Sequence, residues 1–368
     1  DLIFDSNFIN TVYDVLSEIS KNIFDIIVLV GFIRCENGKM YNSVAIIESG
    51  NIIGFRDKTL LPNHDVFDEK RYFCPANKIE PIEVKINNKK TKLGIQICED
   101  LWDNDYDFKV TDILVEKEAD IIINLSASPF YTNRLKDRIE VVRKKVKRHS
   151  IPYAYCNSIG YQEELVFDGQ SFVMNASGDI TALGKPFEED LIIVNILSND
   201  TCSLSIPDRF EELFMALSLG VKDYIKKTHH SKVVIGLSGG IDSALTAAIA
   251  SNAIKKGADI IGVAMPSQFS SNHSIRDAEL LAYNLGLNFE LLEINDINSK
   301  FLDTLDPILD NLHPGLAEEN LQARIRGNIL MTIANKMNAL LLIKVTCLMS
   351  TIFAVVSGFI IVIVVPFL

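Results

Sequence analysis

The sequence has few cysteines and lacks the spacings that hold structural zinc. Its 6 cysteines are scattered along 368 residues, with no CxxC pair and no histidines at matching intervals. Isolated thiols of this kind are typical of a reducing compartment, so we expect a cytoplasmic protein. The first residue is Asp1, and no charged-then-apolar leader follows it, so the sequence gives no sign of a secretory signal.

An excess of positive charge is also missing. The formal net charge is -12 and the isoelectric point is near 5.1. Such a protein repels a nucleic-acid backbone at long range, which argues against nucleic acid as its main partner. Small anionic substrates would need local hydrogen-bond donors instead. The length is sufficient for two domains, each with a sizeable core.

The glycine-rich stretch at 232–250, KVVIGLSGGIDSALTAAIA, lacks the lysine of a GxxxxGK[ST] loop and the spacing of GxGxxG. Its apolar start predicts a buried parallel strand, and its alanine-rich end predicts a helix. In SGGIDS, between them, the glycines let backbone N–H groups come close to a ligand, and the serine hydroxyls and the helix N-terminus add further donors. All of these features favour binding of an anion. We therefore expect a phosphate-binding loop; the alternative is an ordinary glycine-rich turn.

The first half alternates apolar runs with helical patterns, which predicts a layered α/β domain. The expected strands are 26–33, 43–48, 93–97, 121–125, 153–155 and 171–174, and the expected helices are 7–22, 112–119 and 133–149.

The second half begins after a polar, turn-prone segment at 198–207, which predicts a domain boundary before a helix at 209–227. Further strands are expected at 259–265 and 288–294, with a helix between them that Ser274 caps and Gly286 ends. This βαβαβ order predicts a parallel sheet with its ligand site at the carboxyl ends of the strands.

Two residues of the first half are candidates for covalent chemistry. Cys98 follows the strand at 93–97, on a sharp turn where a nucleophile is accessible and backbone N–H groups can stabilise an oxyanion. The alternative is a packing cysteine, although the acidic pair at 99–100 makes burial awkward. Lys58 would lower the pKa of the thiol and polarise a carbonyl if it lay beside Cys98; otherwise it is a surface lysine or an ion-pair partner of Asp57.

Several segments carry a resemblance to known families. The first half resembles the nitrilase superfamily, an α-β-β-α sandwich, and within it the glutaminase domain of glutamine-dependent NAD synthetases. That match lies in KTLLPNHDVFDEKRYF at 58–73, ICEDLW at 97–102, NLSASP at 124–129 and ELVFDG at 164–169. With SGGIDS, the segments MPSQFSS at 265–271 and ENLQARIRGN at 319–328 resemble the synthetase domain, a Rossmann-like fold of the adenine-nucleotide α-hydrolase type.

The resemblance implies a Glu-Lys-Cys triad in the first domain. Carried over, Cys98 is the nucleophile that forms a thioester with glutamine, and Lys58 stabilises the tetrahedral intermediate. The triad glutamate belongs to a motif that precedes a segment like 1–3, so we expect it outside this sequence, and Glu69 matches a second, supporting glutamate. The implied glutamine contacts are Ser128, Arg134 and His64, where the family often has tyrosine at the last position.

For the second domain the resemblance implies amidation in two steps. ATP adenylylates the nicotinate carboxylate of deamido-NAD with release of pyrophosphate, and ammonia freed at Cys98 then displaces AMP. The implied partners are L-glutamine, ATP and deamido-NAD, with Mg²⁺ bound at Asp242, and homologous enzymes suggest a homo-oligomer. Asn320 and Arg324 are the implied deamido-NAD contacts, and the ATP site falls on Gly236, Leu237, Ser238, Gly239, Gly240, Ile241, Asp242 and Ser243.

The resemblance stops at about Ile343. Residues 345–368 carry no charge, and other residues replace the family's TGNKS-type loop there. Two interpretations stay open: a transmembrane helix, or an altered reading frame or truncation that replaces the end of a soluble domain. We predict domains at 1–200 and 209–343, a linker at 201–208 and an atypical tail at 344–368.

Three functions follow as hypotheses. The first is a glutamine-hydrolysing NAD synthase, an ATP-dependent carbon–nitrogen ligase. The second is a nitrilase-type amidase, which predicts hydrolysis of a small amide without ATP but leaves SGGIDS unexplained. The third is a non-catalytic remnant that binds nucleotide or an intact partner, which the missing glutamate and loop favour.

Overall fold

The computed structural model describes residues 2–86, 88–196, 198, 200–254, 257–309, 315–345 and 360–364. The chain divides into two compact units. The first consists of Asp1–Gly160 and Phe167–Ile206, and the second of Tyr161–Val166 and Pro207–Leu368. The division at 206 falls within the polar segment at 198–207, whereas no sequence pattern indicated that Tyr161–Val166 would group with the second unit. The predicted domain bounds themselves stay a prediction.

The elements up to residue 206 alternate as the periodicity indicates. They are α1 (Ser6–Lys21), β1 (Ile27–Glu36), β2 (Lys39–Glu48), β3 (Asn51–Asp57), β4 (Ile82–Ile86), β5 (Lys89–Ile97), α2 (Val110–Glu116), β6 (Ile121–Ser126), α3 (Arg134–His149), β7 (Tyr153–Asn157), β8 (Ile159–Gln162), β9 (Leu165–Asp168), β10 (Phe172–Met174) and β11 (Ile180–Leu183).

These elements form four layers in the first unit. The strands β1, β2 and β3 make an antiparallel sheet, and a second sheet has the order β11-β10-β7-β6-β5-β4, with β5, β6 and β7 parallel. Because side chains alternate along a strand, Val44 and Ile46 of β2 pack against Ile95 of the second sheet, while Ala45 and Ile47 pack beneath α1. Helices α2 and α3 cover the outer face of the larger sheet. The expected α-β-β-α sandwich is confirmed.

The expected strands do not include β3, β4, β8, β9 or β11 of this unit. Strands β4 and β11 are the two edges of the larger sheet, and β4 (IEVKI) is largely exposed. A strand of 4 or 5 residues with mixed polarity gives a weak periodic pattern. Its existence depends on the neighbouring strand, which supplies the hydrogen bonds.

The second unit contains a mainly parallel sheet. Its strands have the order β14-β13-β12-β15-β16, and only β16 is antiparallel to its neighbour. The order reverses beside β12, which makes the edge between β12 and β15 a topological switch point. The elements are α4 (Arg209–Lys227), β12 (Lys232–Gly236), α5 (Ile241–Ile254), β13 (Ile260–Ala264), α6 (Asn272–Leu285), β14 (Asn288–Leu291), α7 (Asn295–Leu309), α8 (Leu316–Met337), β15 (Ala339–Val345) and β16 (Ile360–Val364).

The expected N-cap of α6, Ser274, has the right residue type but lies three positions too late in the sequence. The helix begins at Asn272, and Ser271 is its N-cap, with an extended backbone and a hydroxyl that accepts from the Ser274 N–H at 3.2 Å. Ser274 is already helical, so its hydroxyl cannot cap the first turn. Gly286 ends the helix in the left-handed conformation, as predicted.

The apolar tail lies mostly outside the described residues, which include only 345 and 360–364 of it. There, β16 pairs with β15. Among the helices described, none combines the length and the apolar character needed to cross a membrane. Both interpretations of the tail stay predictions.

Candidate functional site

The turn after β5 presents Cys98 at the carboxyl edge of the larger sheet of the first unit. Cys98 has a φ of +43°, a left-handed conformation that is uncommon for a residue with a side chain and is found at functional sites. A short 3-10 helix, Cys98–Leu101, continues from it. The amide of Asn124 on β6 donates to the Cys98 carbonyl at 3.4 Å, which ties the turn to the adjacent strand.

Asp100 shows that the acidic pair does not keep the Cys98 turn at the surface, contrary to the expectation. Its side chain is fully buried and accepts from the backbone N–H groups of Ile97 at 3.1 Å, Thr59 at 3.0 Å and Leu60 at 2.8 Å. The Arg56 guanidinium lies 3.9 Å from the same carboxylate. Because these donors flank both Cys98 and Lys58, Asp100 holds the two candidate catalytic segments together.

Lys58 is neither a surface lysine nor a partner of Asp57. It is 1% exposed, and its Nζ lies 2.6 Å from Oε1 of Glu69. Asp57 instead accepts two hydrogen bonds from Arg34, at 2.9 and 2.6 Å. Successive residues at the end of a strand point to opposite sides, which separates the side chains of 57 and 58.

The charges of this cluster act on the Cys98 thiol in opposite directions. Burial raises the pKa of the thiol, and the Lys58 ammonium is the largest influence that lowers it. The carboxylates of Glu69 and Glu99 raise the pKa further, whereas a hydrogen bond from the Ala127 backbone lowers it. The Lys58 charge thus acts on the Cys98 thiol in the direction expected for neighbouring residues, and the catalytic roles of the two residues stay predictions. Oε2 of Glu69 is buried and has no hydrogen-bond partner among the described residues.

Two of the three expected glutamine contacts lie together. Ser128 follows β6, and Arg134 opens α3 with its Nε 3.1 Å from the Ser128 hydroxyl. The Arg134 guanidinium stacks 4.1 Å above the Trp102 ring and 4.8 Å from the Tyr131 ring. Contact with two aromatic rings restricts the orientation of the guanidinium and lowers its conformational freedom.

His64, the third expected contact, is 60% exposed, and its Nε2 lies 3.6 Å from a Glu99 carboxylate oxygen. The same oxygen accepts from the Tyr106 hydroxyl at 3.1 Å. Burial and the Glu99 carboxylate raise the pKa of Tyr106 to about 12, so Tyr106 stays a hydrogen-bond donor. Burial raises the pKa of Glu99 itself. The sequence analysis did not single out Glu99 or Tyr106.

Arg138 was missed for a different reason. The basic run at 134–148 is typical of a solvated helix face, and its charge pattern alone predicts one. Arg138 is instead fully buried and forms a bidentate ion pair with Asp168. A signal was available in the spacing, because Arg138 falls on the stripe of buried apolar residues at Leu135, Ile139 and Val142. The interpretation is therefore wrong at this position.

In the second unit, the loop between β12 and α5 adopts the compact form that its glycines permit. Gly239 has a φ of +76°, and a Cβ there would lie 2.3 Å from the Ser274 carbonyl oxygen. Within the loop, the Ser243 hydroxyl accepts a hydrogen bond from the Ser238 N–H at 3.2 Å and donates one to the Gly240 carbonyl at 2.9 Å. The serines therefore order the loop in addition to offering donors.

A pocket of about 450 Å³ opens at the carboxyl ends of β12, β13 and β15, the predicted place for a ligand. Of the eight expected ATP-site residues, Gly236, Leu237, Ser238 and Ser243 line it, and Gly239, Gly240, Ile241 and Asp242 continue the same loop into α5. The described part of the chain holds no group of three His, Cys, Asp or Glu side chains arranged for a metal ion. Binding of Mg²⁺ at Asp242 stays a prediction.

The expected deamido-NAD contacts do not line this pocket. Asn320 and Arg324 are exposed on α8. Arg326, two residues further on, lines the pocket and donates to the Met265 carbonyl at 3.0 Å. Burial lowers the pKa of Arg326. The segment ENLQARIRGN contains both arginines, and spacing alone did not distinguish which of them faces the pocket.

Comparison with known proteins identifies both halves. The carbon-nitrogen hydrolase model matches residues 14–204, and the NAD synthase model matches residues 213–346. The glutamine-dependent NAD(+) synthetase of a Synechocystis species is 42% identical over 318 residues, which are 83% of this chain and 56% of that protein. The enzyme of that name from Thermotoga maritima is 39% identical over 352 residues, which are 86% of this chain and 60% of that protein.

A solved structure shares the fold. The glutamine-dependent NAD+ synthetase from Acinetobacter baumannii, in complex with ADP, superimposes with a TM-score of 0.85 at 33% identity, over 93% of this chain and 64% of that one. The chain thus spans 56% to 64% of the length of these three relatives.

Proposed function

This chain belongs to the carbon-nitrogen hydrolase family, and we propose that it acts in glutamine-dependent NAD synthesis. The observation that carries the proposal is the cluster of Cys98, Lys58 and Glu69 at the end of β5. A thiol on a left-handed turn next to a fully buried ammonium suits attack on an amide better than packing. The companion NAD synthase match over residues 213–346 supplies a use for the ammonia.

In the proposed first reaction, the Cys98 sulfur attacks the side-chain carbonyl carbon of glutamine. The C–N bond breaks, ammonia leaves, and water then hydrolyses the thioester to glutamate and free thiol. Lys58 stabilises the negative oxygen of each tetrahedral intermediate, because its charge is buried and aimed by the 2.6 Å contact with Glu69. We assign proton acceptance to the triad glutamate that the resemblance places before Asp1.

Recognition of glutamine falls to the group around Arg134. Its guanidinium, clamped by Trp102 and hydrogen-bonded to Ser128, suits the substrate carboxylate. The Glu99 carboxylate, which follows Cys98 in the chain and lies 3.6 Å from Nε2 of His64, suits the substrate ammonium group.

The second reaction is assigned to the pocket at the switch point of the parallel sheet. Backbone N–H groups of the loop at 236–243 and the N-terminus of α5 suit the ATP phosphates. Asp242 opens that helix and would give one carboxylate to Mg²⁺, which neutralises phosphate charge when bound. We keep Asn320 and Arg324 as deamido-NAD contacts on α8, and add Arg326 as a positive group inside the pocket. A cytoplasmic location and a homo-oligomer stay predictions.

The test supplies the chain with glutamine, ATP, Mg²⁺ and deamido-NAD and measures glutamate, AMP and NAD separately. We expect Cys98→Ala to abolish glutamate formation and glutamine-driven NAD formation, while an ammonium salt still supports NAD formation. Cys35→Ala, which removes an exposed thiol on β1, is the matched control and is expected to be unchanged.

Three results contradict the proposal. Glutamate formation that survives Cys98→Ala removes the assigned nucleophile. Hydrolysis of small amides as fast as glutamine, without formation of AMP or NAD under any condition, favours the nitrilase-type amidase instead. Absence of all three products favours the non-catalytic remnant.

A further inference from the structure

We propose that Arg138 and Asp168 are positioning residues that set the selectivity of the Cys98 site for glutamine by holding Ser128. The inference rests on the proposed glutaminase function, which it deepens. Neither residue reaches the Cys98 turn in any hydrogen bond of the described chain, so the role that we assign is indirect.

The pair is a fully desolvated ion pair. Arg138 is 0% exposed and Asp168 is 1% exposed. Nη1 and Nη2 of Arg138 each lie 2.8 Å from a different oxygen of Asp168, which fixes the plane of the guanidinium. Asp168 also receives a longer hydrogen bond from the Asn157 amide, at 3.4 Å.

Arg138 directs two further donors at one residue. Its Nη2 donates to the Ser128 carbonyl at 2.8 Å, and its Nε donates to the Ser128 hydroxyl at 3.3 Å. The Ser128 N–H donates to the Asn157 side chain at 3.0 Å. Backbone and side chain of Ser128 are therefore both held by the group that Asp168 orients.

This arrangement also fixes the polarity of the Ser128 hydroxyl. Its oxygen accepts from Arg138 and from Arg134, at 3.3 and 3.1 Å. A hydroxyl has two acceptor sites and one proton, so both acceptor sites are occupied and only the proton remains to be given. Ser128 is 1% exposed, and its side chain also interacts with the buried Tyr155 hydroxyl. A substrate group that bonds to the Ser128 hydroxyl must accept its proton, as a carboxylate or carbonyl does and an ammonium group does not.

Stability alone does not account for the pair. Burying two charges costs desolvation free energy, and a well-packed apolar pair of similar volume is often as stable. A second ion pair on the same helix offers a comparison: Lys145 lies 2.6 Å from the buried carboxylate of Asp103 but makes no contact with Ser128 in the described hydrogen bonds. Comparing variants of the two pairs thus distinguishes the effect of losing a buried ion pair from the effect of losing the contacts with Ser128.

The experiment measures the rate of alkylation at Cys98 by two probes, with the modified peptide identified by mass. One probe is the diazoketone analogue of L-glutamine, which needs the glutamine site. The other is iodoacetamide, which needs only the thiol. The selectivity ratio is the first rate divided by the second, and the diazoketone of D-glutamine shows whether the unaltered chain recognises the amino acid.

We expect Arg138→Lys, which keeps the charge but not the bidentate geometry, to lower the selectivity ratio at least tenfold. Asp168→Asn, nearly isosteric, is expected to lower it in the same direction by a smaller factor. Lys145→Gln, the matched control, is expected to lower the melting temperature while leaving the ratio within twofold. Thermal unfolding of each variant confirms that folded protein is compared.

An unchanged ratio in folded Asp168→Asn and Arg138→Lys overturns the inference while the proposed function stands. An equal fall in Lys145→Gln overturns it too, because the effect then follows from lost stability. If the unaltered chain reacts equally with the L and D probes, the proposed glutaminase function fails first, and this inference falls with it. Should Arg138→Lys not fold, Asp168→Asn decides.

Discussion

The two candidate sites of this chain hold their functional groups in place by different means. In the first unit, buried charged side chains hold the functional groups in place. Asp100 accepts hydrogen bonds from three backbone N–H groups, Lys58 pairs with Glu69, and Arg138 pairs with Asp168. In the second unit, the pocket is lined by backbone, hydroxyl and apolar groups, and Arg326 is the charged side chain among its described lining residues.

The difference follows from the chemistry proposed for each site. Covalent attack requires a nucleophile and a charge held at fixed separation, and charged side chains keep their geometry only when ion pairs and hydrogen bonds hold them. Phosphate binding is distributed over many N–H groups, which the backbone supplies wherever a loop meets a helix. We therefore expect the first site to be sensitive to loss of charge and the second to added volume.

The largest effect should come from Asp100→Ala. The change strands the buried Arg56 charge and leaves three backbone N–H groups without their acceptor, for an expected loss of about 3–5 kcal/mol in the free energy of unfolding. Urea unfolding measures it, with Asp100→Asn as a control that keeps the volume and is expected to lose less. A loss below about 1 kcal/mol would contradict the dependence of this site on buried charge.

Gly239→Ala should give the next largest effect. The added methyl meets the Ser274 carbonyl at 2.3 Å in a left-handed backbone, so we expect a loss of about 2–4 kcal/mol. Gly240→Ala is the matched control in the same loop, because its Cβ meets only the movable Ser238 hydroxyl at 3.3 Å. Equal melting temperatures for the two variants would show that the loop rearranges to accommodate the methyl group. The second site would then not be sensitive to added volume.

A pH profile of Cys98 alkylation should separate the charges of the first site. Because burial raises the pKa of the thiol, the rate should continue to rise with pH beyond the range of an ordinary cysteine. Lys58→Met removes the charge that lowers the pKa, so its profile should move to higher pH, with severalfold slower alkylation at pH 8. Glu69→Gln should move the profile the other way. Superimposable profiles would show that neither charge acts on the sulfur.

The smallest effect concerns the helix beside the second pocket. Ser271→Ala should cost about 1 kcal/mol, because it removes the acceptor for the first-turn N–H of α6. Ser274→Ala should cost less, since that hydroxyl does not cap the helix. Calorimetry of both variants distinguishes the observed N-cap, Ser271, from the predicted one, Ser274. A larger loss of stability for Ser274→Ala would favour the predicted cap.

Local patterns predicted most of the fold. Segments with a strong local pattern, such as the amphipathic α3 and the continuous apolar run of β12, were identified with their bounds close to those observed, and the layered architecture followed from their order. Edge strands such as β4 and the start of α6 were missed or misplaced. In both cases the deciding hydrogen bond comes from a neighbour or from a backbone angle that periodicity does not contain.

By itself, the sequence determined the chemistry that each segment carries: a thiol on a turn at Cys98, a lysine at 58, and a phosphate-sized loop at 238–243. Tertiary structure alone decided which of these groups are buried and which partners they meet. Asp100 reaches Leu60 across 40 residues of chain, and Arg138 reaches Asp168 across 30. Side-chain periodicity is a local property, whereas partner choice depends on strand order and register, which only the assembled sheets provide.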